Sequence, residues 1–165
     1  MSELTDWKAA PPRTVPEGTC SVTTVYRVPF FDTDAMGVVH HSNYLRYLEL
    51  ARVQYLQTYD DPYTRYVEQG VHVAVTGVEA SFHRAARFDE ILEISCWLVW
   101  IKRVSLRFDY VITCDGALVL SALTRHAAID LNGRATRLPP QNRARLAALI
   151  ASQPQEQTKS PWAGA

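Results

Sequence analysis

The sequence predicts an α+β fold in which one antiparallel sheet wraps around a single long helix. Residues 43–59 carry apolar side chains at helical spacing, and the chain beyond residue 70 is dominated by β-branched and alternating segments. Asp-Gly and Asn-Gly pairs mark tight turns between these segments. The order of a strand, a long helix and then four or five strands is that of one α+β domain.

The first part of the chain contains an arm, a strand and the long helix. Residues 1–20 are polar and contain several prolines, so we expect a flexible N-terminal arm. Residues 21–31 are predicted to form a strand because the run is rich in β-branched and aromatic side chains. The long helix, residues 43–59, follows an acidic loop. Either Ser42 or Asn43 can cap it by accepting a hydrogen bond from a free first-turn N–H.

The remaining elements are mostly strands separated by turn signals. Residues 63–69 suit a short second helix that Gly70 ends. The predicted strands that follow are residues 71–82, 89–101, 104–113 and 117–130, with a short edge at 134–138. A pair of prolines opens a final helix at residues 141–151, and the polar tail 152–165 is expected to be flexible. Residues 21–151 therefore form one predicted domain.

Composition limits the classes of function. The 165 residues are 47% hydrophobic, which predicts a folded domain with a substantial core. The net formal charge is zero, which argues against nucleic acid or an anionic membrane as the main partner. No run approaches the about 18 apolar residues of a membrane span, and the N-terminus lacks the apolar core of a signal peptide. Cys20, Cys96 and Cys114 lack zinc-site spacing, so we expect reduced thiols, no metal and a cytoplasmic protein.

The most informative residues lie in the acidic loop before the long helix. Asp32 and Asp34 stand a few residues upstream of the helix N-terminus, with Gly37 and two histidines after them. Free N–H groups and the positive end of the helix dipole favour developing negative charge at this point. A carboxylate beside such a helix end supplies a base or nucleophile together with oxyanion donors. The loop therefore predicts hydrolysis of an acyl group.

The loop and helix also resemble a known family. The shared pattern is Phe31-Asp32-Thr33-Asp34-x-x-Gly37-x-Val39-x-His41-x-x-Tyr44-x-x-Tyr47-x-Glu49-x-Ala51-Arg52. It is similar to that of the hotdog-fold acyl-CoA thioesterases, and more narrowly to the 4-hydroxybenzoyl-CoA thioesterase family and its Tol-Pal-associated, YbgC-like subgroup. Residues 82–90, 102–105 and 137–139 also fit, so the resemblance covers about residues 22–140.

This resemblance implies a hotdog fold, a homodimer or homotetramer, and an active site at the subunit interface. It makes Asp34 the catalytic carboxylate, which either activates water or attacks the thioester, and makes the backbone N–H of His41 an oxyanion donor. Substrate contacts are expected at motif positions and at cationic turns suited to CoA phosphates, namely Gly37, Val39, His40, Tyr44, Arg87, Lys102, Arg103 and Ser105. No metal or cofactor is implied beyond the CoA of the substrate.

Several points stay open at this level. Phe30 stands where the subgroup carries Tyr, and Ala85 where the family commonly has Pro, so the preferred acyl chain is not transferred. An acyl-carrier-protein thioesterase and a non-catalytic acyl-CoA-binding protein remain alternatives. A solvated carboxylate is a weak base, so Asp34 is expected to be partly buried near Val38 and Val39. Asp32 is expected to be structural, and the other three histidines, His72, His83 and His126, are expected in strands.

Overall fold

A computed structural model of the protein describes residues 11–153, so the first half of the predicted arm and all but two residues of the predicted tail lie outside the described residues. Within this range the chain forms five strands and three α-helices. In chain order they are β1 (Ser21–Arg27), α1 (Asn43–Tyr59), α2 (Tyr63–Glu68), β2 (His72–Phe82), β3 (Ile91–Ile101), β4 (Ser105–Cys114), β5 (Ala117–Ile129) and α3 (Pro140–Ala151). None of the described helices is long and apolar enough to cross a membrane.

The five strands form one antiparallel sheet in the order β1-β3-β4-β5-β2. The hairpin between β4 and β5 turns at Asp115 and Gly116, whose φ angles of 50° and 75° suit the predicted type I′ turn. Strands β1 and β2 lie at the two edges, because each pairs with only one neighbour. The predicted α+β class is confirmed.

Helix α1 packs across β1 and β3 and supplies much of the core. Its buried side chains recur at the predicted helical spacing and are Tyr44, Tyr47, Leu48, Ala51, Arg52, Tyr55 and Leu56. The ring of Tyr55 meets Phe108 of β4 with centroids 5.4 Å apart. Each large apolar side chain buried in this way contributes about 1.5–3 kcal/mol to folding. This packing fixes the position of the helix N-terminus above the sheet.

One predicted strand end and one predicted strand were wrong. Strand β1 ends at Arg27 rather than residue 31, because Pro29 has no N–H for the ladder and Phe30–Asp32 turns into a 3₁₀ helix. The predicted edge strand at residues 134–138 is also absent. Of that segment, only Ala135 makes a β-bridge, to Ile129.

A polar cluster ties α3 back to the end of α1. The side chain of Asp60 is fully buried and accepts hydrogen bonds from the Tyr66 hydroxyl, from Asn142 at 2.9 Å and from Arg145 at 2.7 Å. Burial and the neighbouring Asp60 carboxylate raise the pKa of Tyr66, so its hydroxyl remains a donor. We call these four residues the Asp60 cluster. It lies at the C-terminal end of α1, away from the acidic loop.

Candidate active site

The acidic loop, which we call the Asp34 loop (residues 33–39), is a tight turn closed by a bridge between its two ends. The Asp34 amide donates to the Val38 carbonyl at 2.9 Å, and the Gly37 amide donates to the Asp34 carbonyl at 2.9 Å. Gly37 has a φ of 69°, which disfavours side chains with a Cβ. Asp34 is half-buried, and its Oδ1 accepts the Met36 amide at 2.8 Å. Its Oδ2 has no hydrogen-bond partner within residues 11–153.

The start of α1 leaves a backbone donor unused. Among the residues that the structure describes, the amide of His41 has no acceptor, whereas the amides of His40 and Asn43 are bonded to the carbonyls of Asp32 and His40. The predicted side-chain cap is absent: Ser42 has helical φ and ψ angles, so its hydroxyl does not face the first-turn amides. It bonds Nδ1 of His40 at 2.8 Å instead. The free N–H of His41 can therefore donate a hydrogen bond to a negatively charged oxygen.

A cleft of about 280 Å³ opens beside this helix end. Its lining residues come from the loop, from the start of α1 and the residues just before it, and from the end of β2 and the chain that follows. They are Val38, Val39, His41, Tyr44, Phe82, His83, Arg84 and Ala85. The rings of Tyr44 and Phe82 meet edge to face with centroids 5.4 Å apart and form an apolar wall. Burial raises the pKa of Tyr44, so its hydroxyl stays protonated. The cleft thus combines an apolar wall with a free amide.

The sequence of this region identifies the family. The pattern of the Thioesterase-like superfamily matches residues 28–146, which include the Asp34 loop, α1 and the whole cleft. The chain belongs to this superfamily.

Individual relatives agree with this assignment. Acyl-CoA thioesterase YbgC of Haemophilus influenzae is 30% identical over 106 residues, which cover 64% of this chain and 78% of the relative. The crystal structure of hypothetical protein TT1821 from Thermus thermophilus superposes with a TM-score of 0.74 at 36% identity, covering 78% of this chain and 97% of the other. A thioesterase from the same species, solved with coenzyme A and Zn, gives a TM-score of 0.69 at 28% identity, covering 82% and 98%. This chain is a hotdog-fold, YbgC-like thioester hydrolase.

Two polar residues that line the thioesterase cleft were not among the predicted site residues. His83 bonds Ser121 of β5 through Nε2 at 3.0 Å, and Arg84 pairs with Glu90 at 2.6 Å. His83 was expected in a strand but lies just beyond the end of β2. The sequence offered one signal for His83 and Arg84: both lie in the turn that begins at Phe82, which resembles the family's pattern.

Several predicted substrate-binding residues are not among those that line the cleft. Arg87 follows the lining segment by two residues; it is exposed, and its amide bonds Glu90 at 2.9 Å. Lys102, Arg103 and Ser105 lie at the turn between β3 and β4, whereas the other end of β3 adjoins the Asp34 loop. The 11 residues of β3 separate these two ends by roughly 35 Å. Lys102 lies over the Trp100 ring at 5.0 Å.

A larger groove of about 600 Å³ lies on the opposite flank of α1, between that helix and β1. Its lining includes Asp32, which is 2% exposed and bonded to Tyr26 and Tyr47. These contacts agree with the structural role expected for Asp32. Within residues 11–153, no group of three or more His, Cys, Asp or Glu side chains is arranged to hold a metal ion.

Proposed function

We propose that this thioesterase hydrolyses acyl-CoA to a free acid and CoA, with Asp34 as the catalytic carboxylate. The observation that carries the proposal is that the loop holding Asp34 also supplies Val38 and Val39 to the wall of the cleft that His41 lines. Oδ2 of Asp34 and the amide of His41 both lack a partner within the described part of the chain. The first suits a base or nucleophile and the second an oxyanion donor. The names of the relatives favour CoA as the carrier group.

The proposed reaction begins with the thioester carbonyl against the N-terminus of α1. Asp34 takes a proton from water, and the resulting hydroxide attacks the carbonyl carbon. The His41 amide and the helix dipole stabilise the oxyanion of the tetrahedral intermediate. The intermediate then expels the CoA thiolate, which receives the proton that Asp34 holds. Direct attack by Asp34 to form a mixed anhydride, which water then opens, gives the same products.

We also place the complete site between two or more copies of the chain. Lys102, Arg103 and Ser105 lie too far from Asp34 in their own chain, so they reach an acyl-CoA in that cleft only if another copy presents them. The cleft lies at the Phe82 end of edge strand β2, and Phe82 and Val75, nearer the other end of that strand, are both more than half exposed. A homodimer or homotetramer joined beside the cleft accounts for both observations. Buried thiols such as Cys96 suit a cytoplasmic location.

The test is thiol release from a panel of aliphatic and aromatic acyl-CoAs by wild type and Asp34→Asn. The amide keeps the shape of the side chain but removes the base, so we expect kcat to fall by about 100-fold or more. Asp115→Asn is the matched control, because it changes an aspartate in another tight turn that lies outside the cleft lining. It should retain wild-type activity.

Three outcomes oppose the proposal in different ways. If Asp34→Asn turns over substrate as fast as wild type, Asp34 is not the catalytic carboxylate. Cleavage of acyl-carrier-protein thioesters alone makes the carrier protein the substrate. Binding of acyl-CoA without turnover by wild type makes the protein a binder rather than an enzyme.

A further inference from the structure

Asp32 is a buried carboxylate that the proposed chemistry does not use. Its Oδ2 accepts hydrogen bonds from two tyrosine hydroxyls, Tyr47 of α1 at 2.7 Å and Tyr26 of β1 at 2.9 Å. The two rings also pack together, with centroids 4.6 Å apart. A carboxylate that is 2% exposed is unfavourable unless donors satisfy it. These two donors therefore hold the Asp32 side chain between strand and helix.

The main chain of Asp32 makes a second set of contacts. Its carbonyl accepts the His40 amide at 2.9 Å and the side-chain amide of Asn43 at 2.8 Å. Its own amide donates to the Pro29 carbonyl at 3.1 Å. Both ends of the Asp34 loop, strand β1 and the first residue of α1 are thus joined through this one residue. We call this arrangement the Asp32 clamp.

The two tyrosines are firm donors in this clamp. Burial raises the pKa of Tyr47 above its ordinary value, and the hydrogen bond to Asp32 and its negative charge raise it further. The same causes act in the same order on Tyr26. Both hydroxyls therefore keep their protons across the pH range in which a thioesterase is assayed. Deprotonation of Tyr26 or Tyr47 therefore does not weaken the clamp in that pH range.

We propose that Asp32 is a positioning residue, which sets the separation between the Asp34 carboxylate and the free His41 amide by clamping the Asp34 loop to α1. This inference rests on the proposed function of Asp34. Reactions between fixed groups are sensitive to small displacements, and a shift of about 1 Å can cost about 100-fold in rate. Because both tyrosines bind the same oxygen, one amide oxygen can accept both bonds. The clamp thus needs an acceptor at residue 32, whereas catalysis needs charge at residue 34.

The two loop aspartates should therefore respond differently to the same substitution. We expect Asp32→Asn to keep kcat within about 5-fold of wild type, because the acceptor remains. Asp32→Ala should lower kcat by about 100-fold with little change in KM, because the loop loses its anchor. Asp34→Asn is the reference for loss of charge. A fall in Asp32→Asn as large as that in Asp34→Asn overturns the positioning role, as does full kcat in Asp32→Ala.

A matched pair of tyrosine variants separates positioning from stability. Tyr47→Phe and Tyr66→Phe each remove a hydroxyl that donates to a buried aspartate, the first in the clamp and the second in the Asp60 cluster. We expect similar losses in Tm, because the deleted contacts are alike. Only Tyr47→Phe should lower kcat, by about 10-fold. Equal kcat values in the two variants contradict the inference.

A readout without substrate tells failure of the clamp from failure of the proposed function. In Asp32→Ala the amide hydrogens of Gly37 and His40 should exchange at least about 10-fold faster than in wild type. The amide hydrogen of Ala128, which bonds the Val104 carbonyl at 2.8 Å, should exchange at an unchanged rate. If the wild type cleaves no thioester but the amide hydrogens of Gly37 and His40 exchange faster in Asp32→Ala, the clamp is supported and the proposed function is wrong. Unchanged exchange together with unchanged kcat in an active enzyme overturns the clamp.

Discussion

His126 shows how a single buried side chain links folding to pH. The residue lies on β5 and is 1% exposed. Burial lowers its pKa to about 3, and the nearby Arg52 guanidinium acts in the same direction. Its Nε2 bonds the hydroxyl of Thr124 at 2.7 Å, and that hydroxyl bonds Tyr110 at 2.8 Å. Above about pH 3 the core therefore holds a neutral imidazole, which gains a proton at those pH values only when the chain unfolds.

The free energy of unfolding should fall as the solution is acidified below about pH 6.5. An unfolded histidine has a pKa of about 6.5, so between that pH and about 3 the unfolded chain binds the additional proton. Stability from His126 is complete above this window and is lost as pH falls through it, by about 1.4 kcal/mol per pH unit. Urea unfolding at pH 7 and 5.5, at one protomer concentration, measures the slope.

Two variants identify the source of this slope. His126→Gln should flatten it by about the amount due to one proton, because the titrating ring is gone. Thr124→Val removes the hydrogen-bond partner but keeps the imidazole, so it should lower stability at both pH values and preserve most of the slope. An equally steep slope in His126→Gln assigns the proton uptake to another group.

His41 is expected to act through its backbone rather than its ring. Its amide has no acceptor among the described residues, and its side chain is exposed. Loss of one oxyanion donor typically costs about 100-fold or more in kcat. Because His41→Ala keeps the N–H, its kcat should stay within about 5-fold of wild type in the thiol-release assay. A loss of about 100-fold assigns the function to the imidazole instead.

At the scale of an element, the Asp34 loop depends on the conformation of Gly37. An added Cβ at Gly37 meets no atom within 4 Å, so alanine there introduces backbone strain without a clash. Gly116 in the β4–β5 hairpin has nearly the same φ, 75° against 69°, and equally open surroundings. It is therefore a matched control that lies outside the cleft lining.

Both alanine substitutions should cost about 1–2 kcal/mol in the free energy of unfolding, because both force a side chain into the left-handed region. Only Gly37→Ala should also lower kcat, by about 10-fold or more, since its strain shifts the turn that carries Asp34. Chemical denaturation and thiol release measure the two effects separately. Equal kcat values in the two variants contradict a dependence of catalysis on this turn.

The elements that the sequence predicts well are those with local causes. Helix α1 agrees with its predicted bounds because its apolar spacing is periodic over 17 residues. The end of β1 was missed because the run of β-branched and aromatic residues outweighed Pro29 in the prediction. The failed cap at Ser42 has a similar origin: the residue type favours a cap, whereas its observed helical φ and ψ do not.

The cleft was predicted only in part because it is assembled from distant segments. Val39, His41 and Tyr44 were expected there and line it. His83 and Arg84 join them because the end of β2, paired with β5, lies beside α1, where Phe82 contacts Tyr44. That arrangement has no local signal in the sequence. Lys102 was predicted to bind substrate because it is a cation at a turn. The sequence alone does not show at which end of the sheet such a turn lies.

At the scale of the whole molecule, the two sheet edges are the sites where further copies can pair. Both expose apolar side chains: Val75 and Val78 on β2, and Val25 on β1 with Ile91 at the adjoining end of β3. Unpaired strand edges with such residues favour association. Of the two edge strands, β2 contributes a residue to the lining of the cleft, Phe82, whereas β1 contributes none. The proposed composite site therefore requires β2, rather than β1, to face the second copy.

Lysines placed on either edge should distinguish these two arrangements. Val75→Lys/Val78→Lys puts two like charges on β2, which should oppose pairing of two copies there and shift the mass measured by light scattering toward the protomer. Because a copy in isolation lacks the residues that its partner presents, thiol release should fall by about 10-fold or more. Val25→Lys/Ile91→Lys adds the same charge at the β1 edge and should keep the activity of wild type. If only the β1 variant dissociates and loses activity, the second copy completes the site from the other edge. Full activity in a monomeric β2 variant means that one chain contains the whole site.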